Sequence, residues 1–175
     1  MQDRQRGKRI LKIAVMPGSF DPLTYGHVDL VRRTARLFDR VFVVAMINDQ
    51  KKYMFSPEER LEIMRYDLQG IENVEIEFYG GMLYDYLAEK KAQAIVKGIR
   101  DADDTEYEIF MANFNRVHYP EAETVLLPPR HGFERISSSY VKERCRKGQS
   151  LEGLVTKHTA QMLVKKMEGE KWPET

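Results

Sequence analysis

The sequence predicts an α/β protein with a doubly wound, five-stranded parallel sheet and helices on both faces. Five apolar segments of strand length alternate with segments of helical periodicity, and no linker rich in proline, glycine or serine divides them. Such alternation implies crossover connections between parallel strands. The chain has 175 residues, of which 42% are hydrophobic. We therefore expect one domain over residues 10–167, with a loose tail at 1–9 and a frayed end at 168–175.

The five strands are predicted from their composition and periodicity. Residues 10–16 and 41–47 are almost wholly apolar, which is typical of strands in the interior of a parallel sheet. Residues 74–78 alternate polar and apolar side chains, so this third strand should be more exposed. Residues 92–96 and 124–127 supply the fourth and fifth strands.

Six helices are predicted from apolar side chains that recur every three or four residues and from capping residues. The clearest start is Ser56, which is followed by Pro57 and by Glu59 in a capping box. The clearest end is Gly148, a residue type favoured just after a helix. The predicted helices span residues 28–38, 56–68, 82–91, 105–117, 137–147 and 156–167.

Charge and cysteine content exclude several classes of protein. Lys and Arg number 28 and Asp and Glu number 27, which gives a net charge of +1; a protein that grips a long phosphate backbone is usually more basic. No apolar run approaches the ~18 residues of a membrane span. The single cysteine, Cys145, cannot form an intramolecular disulfide. We expect a cytoplasmic protein that binds neither nucleic acid nor membranes, although a local pocket for a small anion remains open.

Hydrogen-bond donors and cations follow four of the five predicted strands. Ligands of doubly wound sheets bind outside the carboxyl ends of the strands, so these side chains should share one polyanionic ligand. The candidates after the first, second, fourth and fifth strands are Ser19, His27, Lys51, Lys97, Arg100, Ser137, Ser138 and Ser139.

Each of these features also has a plainer interpretation. A lone histidine is usually structural, but His27 directly follows Gly26 at a predicted helix start, where free N–H groups and the helix dipole favour an anion. Lys51 and Lys52 alone would indicate only a solvated surface. The serines at 137–139 fit a simple N-cap, and they also fit a phosphate cradle. The joint pattern favours the anion site.

Several well-known catalytic patterns do not occur. No Cys/His set has zinc spacing, and we predict no metal-ligating residue. The chain contains neither a G-x-x-x-x-G-K-[ST] loop nor a G-x-G-x-x-G fingerprint, so the P-loop NTPase and standard dehydrogenase interpretations are weak. A G-x-S-x-G elbow is also missing, and no partner base is evident for a serine nucleophile.

Two stretches of the chain resemble signatures of a known family. Residues 18–27, GSFDPLTYGH, are similar to the GSFDPxTxGH stretch of nucleotidylyltransferases with the T/HxGH motif, and residues 136–142, ISSSYVK, to their ISSSxVK form. Residues 55–60, 97–100, 106–108 and 111–116 fall between them in the expected order. Over roughly residues 10–167 the chain resembles the bacterial phosphopantetheine adenylyltransferases, so the predicted domain is a nucleotidylyltransferase domain.

The resemblance implies a fold, a reaction and partners. The fold is Rossmann-like, and the reaction transfers AMP from ATP to 4′-phosphopantetheine, giving dephospho-coenzyme A and pyrophosphate in coenzyme A synthesis. The family uses Mg²⁺, which would be held mainly through ATP phosphates and water, and it assembles as a homohexamer.

The resemblance also implies roles for individual residues. His27 matches the residue that stabilises the transition state, and Lys51 the one that holds the acceptor phosphate. Lys97 stands where the family usually has arginine, and lysine keeps the charge but loses the bidentate fork. The implied acceptor contacts are Ser19, Lys51, Leu83 and Lys97. The implied ATP contacts are Ser19, Phe20, His27, Gly98, Ile99, Arg100, Glu108, Phe133, Glu134, Arg135, Ile136, Ser137, Ser138 and Ser139.

Three other functions remain open at this point. The nearest is another member of the superfamily, with nicotinamide mononucleotide or a CTP-dependent acceptor. The apolar side chains of Met82, Leu83 and Tyr84 suit a pantetheine arm better than a polar nicotinamide amide. A nucleotide-sensing module without turnover would not need the transition-state donor, and balanced charge disfavours RNA binding.

Overall fold

The computed structural model describes residues 11–47 and 51–169, and within these residues five strands alternate with six helices. The predictions for residues 1–10, and for nearly all of the C-terminal end, lie outside the described residues. The strands are β1 (Ile13–Gly18), β2 (Arg40–Met46), β3 (Val74–Tyr79), β4 (Ala94–Gly98) and β5 (Glu123–Leu127). The helices are α1 (Tyr25–Ala35), α2 (Pro57–Asp67), α3 (Leu83–Lys90), α4 (Ala102–His118), α5 (Ser138–Arg146) and α6 (Lys157–Gly169).

The strands form one parallel sheet in the order β3-β2-β1-β4-β5. Ala14 of β1 pairs with Val41 of β2 on one side and with Ala94 of β4 on the other. The interior placement of the first two strands is therefore confirmed, as is the exposed character of β3, which lies at an edge with every residue half-buried. The order reverses at β1, which creates the crevice where such sheets bind ligands.

Helices cover both faces of the sheet, as predicted. Because side chains alternate along a strand, Val43 points to one face and Phe42 to the other. The larger core cluster packs the first face against α1, α2, α5 and α6. The smaller cluster packs the second face against α3, where Tyr86 and Leu87 are buried.

The fourth strand begins two residues later than predicted. Ala92 is buried and follows Lys91, whose left-handed backbone ends α3. Ala92 N donates to Leu87 O at 3.0 Å, and the side chain packs in the smaller cluster. Ala92 is therefore apolar because it packs in a buried turn before the strand. Hydrogen bonding between β4 and β1 starts only at Ala94.

Helix α4 begins three residues earlier than predicted and is the least buried helix. Asp101 caps it by accepting from Asp104 N at 2.8 Å, a cap the apolar periodicity does not show. Among its 17 residues, all of which are described, only Asn115 is buried. Its exposed apolar side chains, each at least half accessible, are Tyr107, Ile109, Phe110 and Val117.

None of the helices within residues 11–47 and 51–169 combines the length and apolar character needed to cross a membrane.

Candidate functional site

A cavity of about 490 Å³ opens at the carboxyl edge of the sheet, between the loops that follow β1, β2, β4 and β5. The predicted convergence of strand ends is therefore correct, and His27 and Ser138 lie on the same side of the protein. The sequence-predicted residues that line it are Ser19, Phe20, His27, Lys51, Lys97, Gly98, Ile99, Arg100, Glu108, Phe133, Ile136, Ser137, Ser138 and Ser139.

Three predicted contacts are not among the residues that line this cavity. Glu134 lies in an exposed loop, where its carboxylate accepts from Gly132 N at 2.8 Å and pairs with His131. Arg135 is exposed beside it. Leu83, at the start of α3, packs against the smaller core cluster. Their contacts with ATP or the acceptor remain predictions.

His27 is fixed by the start of helix α1. Thr24 is the N-cap, and His27 replaces the usual Glu or Gln in a capping box. Thr24 N donates to His27 Nδ1 at 3.1 Å, while His27 N donates to Thr24 Oγ1 at 3.4 Å. Since Nδ1 accepts a hydrogen bond, the proton of the neutral ring lies on Nε2. The ring lining the cavity is thus a hydrogen-bond donor.

The surroundings of His27 keep the imidazole neutral. Burial, which has the largest effect, and the positive charges of Arg100 and Lys97 together lower its pKa from 6.5 to about 4. Both effects disfavour the imidazolium. At pH 7 the side chain is therefore an uncharged Nε2–H donor, oriented by backbone before any ligand arrives.

The turn after β1 brings backbone close to the cavity. The ring of Phe20, whose φ is +46°, folds over Gly18, and a Cβ at position 18 would lie 2.8 Å from Phe20 Cζ. A larger residue at position 18 would have to displace this ring. Phe20 also packs edge-on against His27, with ring centroids 5.3 Å apart, so the turn and the imidazole hold each other in place.

Positive charge exceeds negative charge around the cavity. Lys97 Nζ lies 2.9 Å from Glu108 Oε1. Arg100 Nε lies 2.7 Å from Asp104 Oδ2 and holds the pKa of that carboxyl below its usual value. Six cationic and three carboxylate side chains line the cavity, in a protein whose overall net charge is +1. Such a pocket suits a polyanion. The lining charges are Arg33, Lys51, Lys52, Lys97, Arg100 and Lys142, with Asp21, Asp29 and Glu108.

Helix α5 presents its amino end to the cavity. Ser137 caps it by accepting from Tyr140 N at 3.1 Å, and Ser138 Oγ donates to Pro22 O at 2.8 Å. The capping interpretation therefore holds for Ser137. Ser137, Ser138 and the exposed Ser139 line the cavity at the start of the helix. The free N–H groups of such a helix start can donate hydrogen bonds to an anion.

Sequence reasoning did not select Lys142, Asp21 or Arg60. Lys142 lies at the cavity on α5, one turn after Ser138, and the i, i+4 spacing that puts them on one helix face was visible in the sequence. Arg60 is 1% exposed and joins the ends of β1 and β2, because its Nη1 donates to Ser19 O at 2.8 Å and to Met46 O at 3.3 Å. Nothing in the local pattern reveals such long-range contacts.

The cavity carboxylates are engaged by cations. Asp21 pairs with Lys142, Glu108 with Lys97, and Asp29 with Arg33. Within the described ranges, no group of three or more His, Cys, Asp or Glu side chains could hold a metal ion. The paired carboxylates are therefore not arranged as metal ligands, and the use of Mg²⁺ stays a prediction.

Comparison with known proteins agrees with the geometry. The cytidylyltransferase-like family model matches residues 15–144. A phosphopantetheine adenylyltransferase of Bdellovibrio bacteriovorus is 46% identical over 144 residues, which cover 82% of this chain and 90% of that protein. One from Caldanaerobacter subterraneus is 40% identical over 158 residues, 89% of this chain and 98% of that protein.

Solved structures support the fold. A putative nicotinate-nucleotide adenylyltransferase from Vibrio parahaemolyticus superposes with a TM-score of 0.68 at 17% identity, covering 89% of this chain and 99% of that one. The nicotinic acid mononucleotide adenylyltransferase of Plasmodium falciparum gives 0.66 at 16% identity, covering 89% and 96%. At these identities the likeness shows a shared Rossmann-like architecture alone.

Proposed function

Because the chain belongs to the cytidylyltransferase-like family and, within it, to the phosphopantetheine adenylyltransferases, we propose that its cavity holds ATP and 4′-phosphopantetheine together, with His27 at the reacting phosphate. The enzyme transfers AMP from ATP to 4′-phosphopantetheine and releases pyrophosphate, a step of coenzyme A synthesis. The rival acceptor nicotinamide mononucleotide, and a binding module without turnover, are disfavoured by this membership.

The reaction is an in-line displacement. A phosphate oxygen of the acceptor bonds to the α-phosphorus of ATP, and the bond from that phosphorus to the oxygen bridging to the β-phosphate breaks, so the electron pair leaves with pyrophosphate. A phosphate monoester has a second pKa of about 6 and is already ionised at pH 7. No side chain has to remove a proton, and catalysis consists of positioning and charge stabilisation.

The observation that carries the proposal is the neutral, oriented His27. Its Nδ1 accepts from Thr24 N at 3.1 Å, which leaves Nε2–H to donate to a non-bridging oxygen of the α-phosphate as charge builds there. A preorganised donor of this kind stabilises the transition state without reorganising. Lys97 and Arg100, which act electrostatically on His27, add positive potential at the same place.

The two substrates would occupy different parts of the cavity. Ser19, Lys51 and Lys97 form the proposed acceptor side of the cavity. Leu83, which packs against the smaller core cluster outside the cavity lining, stays a predicted contact of the pantetheine arm. The proposed ATP side consists of Ser19, which would contact both substrates, Phe20, His27, Gly98, Ile99, Arg100, Glu108, Phe133 and residues 136–139 at the amino end of α5; Glu134 and Arg135, outside the cavity lining, stay predicted ATP contacts. Cations on both sides reduce the repulsion between two polyanions, which is the main obstacle to bringing them together.

Mg²⁺, a homohexamer and a cytoplasmic location complete the proposal. The metal would be held mainly by ATP phosphates and water, and when bound it neutralises phosphate charge. The exposed apolar side chains of α4, among them Phe110 at 65% and Val117 at 80%, support burial against other copies of the chain. A substrate such as ATP supports the cytoplasmic location.

Acceptor choice is tested by pyrophosphate release. Purified protein is incubated with ATP or CTP against a panel that includes 4′-phosphopantetheine and nicotinamide mononucleotide. We expect rapid release only with ATP and 4′-phosphopantetheine. Faster release with nicotinamide mononucleotide, or with CTP, would contradict the proposal.

A further inference from the structure

Asp21 is a buried carboxylate at the cavity that the proposed chemistry does not use. It is 3% exposed and receives three hydrogen bonds. Met54 N donates to Oδ2 at 3.0 Å and Phe55 N donates to Oδ1 at 2.9 Å. Lys142 Nζ donates to Oδ2 at 2.8 Å. A carboxylate beside a phosphate-binding site repels the phosphate unless a cation neutralises the carboxylate. The presence of Asp21 at the cavity therefore needs an explanation.

The partners of Asp21 belong to two different segments of the chain. Met54 and Phe55 end the loop that carries Lys51, on the proposed acceptor side. Lys142 belongs to α5, whose amino end lies on the proposed ATP side. A second bond, from Ser138 Oγ to Pro22 O at 2.8 Å, ties α5 to the same turn. The turn after β1 therefore contacts both segments, and the Asp21 carboxylate is the group that binds to each of them.

We propose that Asp21 and Lys142 are a positioning pair, which sets the place of the Lys51 loop relative to the amino end of α5 and so fixes the spacing of the two substrates. The inference rests on the proposed function of the cavity. The pair is well shielded, with side chains 5% and 15% exposed, and each partner neutralises the other. Lys142 thus lines the cavity, but its charge is engaged by Asp21.

The alternative is that Lys142 binds a phosphate of ATP directly, with Asp21 as a resting partner. The two roles predict opposite results for Asp21→Asn. This substitution keeps the size of the side chain and one acceptor oxygen, but it releases Lys142 and loosens the Lys51 loop. A positioning pair predicts weaker binding of both substrates, whereas a direct phosphate ligand, now freed, predicts tighter binding of ATP.

Lys142→Met and the double variant sharpen the distinction. Alone, Lys142→Met leaves an unpaired buried carboxylate facing the phosphates, which costs more than removing both partners. We expect the KM for 4′-phosphopantetheine and the Kd for ATP to rise about tenfold or more in Lys142→Met, and about threefold in Asp21→Asn. The double variant should return to within about threefold of Asp21→Asn.

The experiment measures steady-state pyrophosphate release with each substrate varied, together with ATP binding by calorimetry. Calorimetry does not depend on the acceptor, so an error in the proposed acceptor would leave this test standing. Lys90→Met is the matched control, because Lys90 pairs with Glu77 at 2.9 Å away from the cavity. It should lower the melting temperature without changing KM or Kd.

Two results would overturn the inference. One is a double variant at least as impaired as Lys142→Met, which indicates a direct phosphate ligand. The other is Asp21→Asn with an unchanged acceptor KM or a tighter ATP complex. Should Lys142→Met fail to fold, Asp21→Asn decides alone, since raised values for both substrates support the positioning role and unchanged values oppose it.

Discussion

The cavity and the edge of the sheet formed by β2, β3 and α3 use charge in different ways. At that edge each cation meets a carboxylate: Arg40 Nη2 lies 2.8 Å from Glu75 Oε2, and Lys90 Nζ lies 2.9 Å from Glu77 Oε2. At the cavity, six cations face three carboxylates. At the edge carboxylates outnumber cations and both cations have carboxylate partners, whereas at the cavity cations outnumber carboxylates.

The pKa shifts of ionisable groups also differ between the edge of the sheet and the cavity. At the edge, Arg40 lowers the pKa of Glu75 through a hydrogen bond, and Lys90 gains a raised pKa from Glu77, so each charge is favoured by its partner. At the cavity, burial and neighbouring cations lower the pKa of His27. Exposed pairs add little stability, about 0–1 kcal/mol each. The edge therefore contributes modestly to folding, while the excess positive charge at the cavity is available to a polyanionic ligand.

The largest expected effect is on His27. His27→Ala removes the donor proposed for the α-phosphate and should lower kcat by about 10² or more. Because it also removes the capping bond from Thr24 N, the free energy of unfolding should fall by about 1 kcal/mol. His158→Ala is the control, since His158 stacks on Tyr66 with ring centroids 4.2 Å apart and does not line the cavity. Steady-state rates and thermal melts check both variants. Near-normal turnover of His27→Ala would show that the assigned role is wrong.

A pair of lysine variants tests the comparison directly. Lys51→Met should raise the KM for 4′-phosphopantetheine about tenfold or more, because one proposed phosphate contact is lost, and should leave the melting temperature unchanged. Lys90→Met should do the reverse, lowering the melting temperature by a few degrees, about 0.5–1 kcal/mol, with an unchanged KM. If Lys51→Met and Lys90→Met raise KM equally, cations at the cavity do not differ in function from cations at the edge of the sheet.

The pH dependence of stability tests the buried imidazole. In the unfolded chain His27 has its ordinary pKa of 6.5, whereas in the folded protein the pKa is about 4. As pH falls from 6.5 towards 4, the unfolded state takes up a proton that the folded state does not, so stability decreases. We expect wild type to lose about 1–2 kcal/mol more than His27→Gln between pH 7 and pH 5 in urea unfolding. If wild type and His27→Gln lose the same stability, the pKa of His27 is not lowered in the folded protein.

The smallest effect is expected for Lys97→Arg. Lys97 pairs with Glu108 at 2.9 Å, and arginine can keep that pair while offering further donors to a phosphate. Acceptor KM should stay the same or fall by about threefold at most. Kinetics with varied 4′-phosphopantetheine check this, and a large loss would show that the lysine makes a contact that arginine cannot.

The fold was largely predictable because its strands are apolar and separated by good helix starts. The box of Ser56 and Glu59 is present as predicted. The errors have local causes: Ala92 is apolar because it packs in a turn, and Asp101 starts α4 through a side-chain cap. The rule that the most apolar strands occupy the interior places β1 and β2, but it does not give the full strand order, in which β4 is also interior.

The site was predictable in its location but not in its internal bonds. The convergence of strand ends follows from topology, which is why His27, Lys97 and the serines at 137–139 meet. By contrast, Asp21 and Lys142 are 121 residues apart, and no local pattern reports such a pair. The use of His27 as the N3 partner of Thr24 also lies outside the usual capping pattern.

The central place of β1 has a consequence for how the protein is made. During synthesis β2 and β3 can pair with one side of β1 before β4 pairs with its other side. Lys142 follows all five strands in the chain, so it reaches Asp21 only after they have left the ribosome. Until then the nascent chain has an incomplete sheet, in which one edge of β1 is unpaired and the cavity is not yet formed. The cavity is therefore complete only when almost the whole domain has been translated.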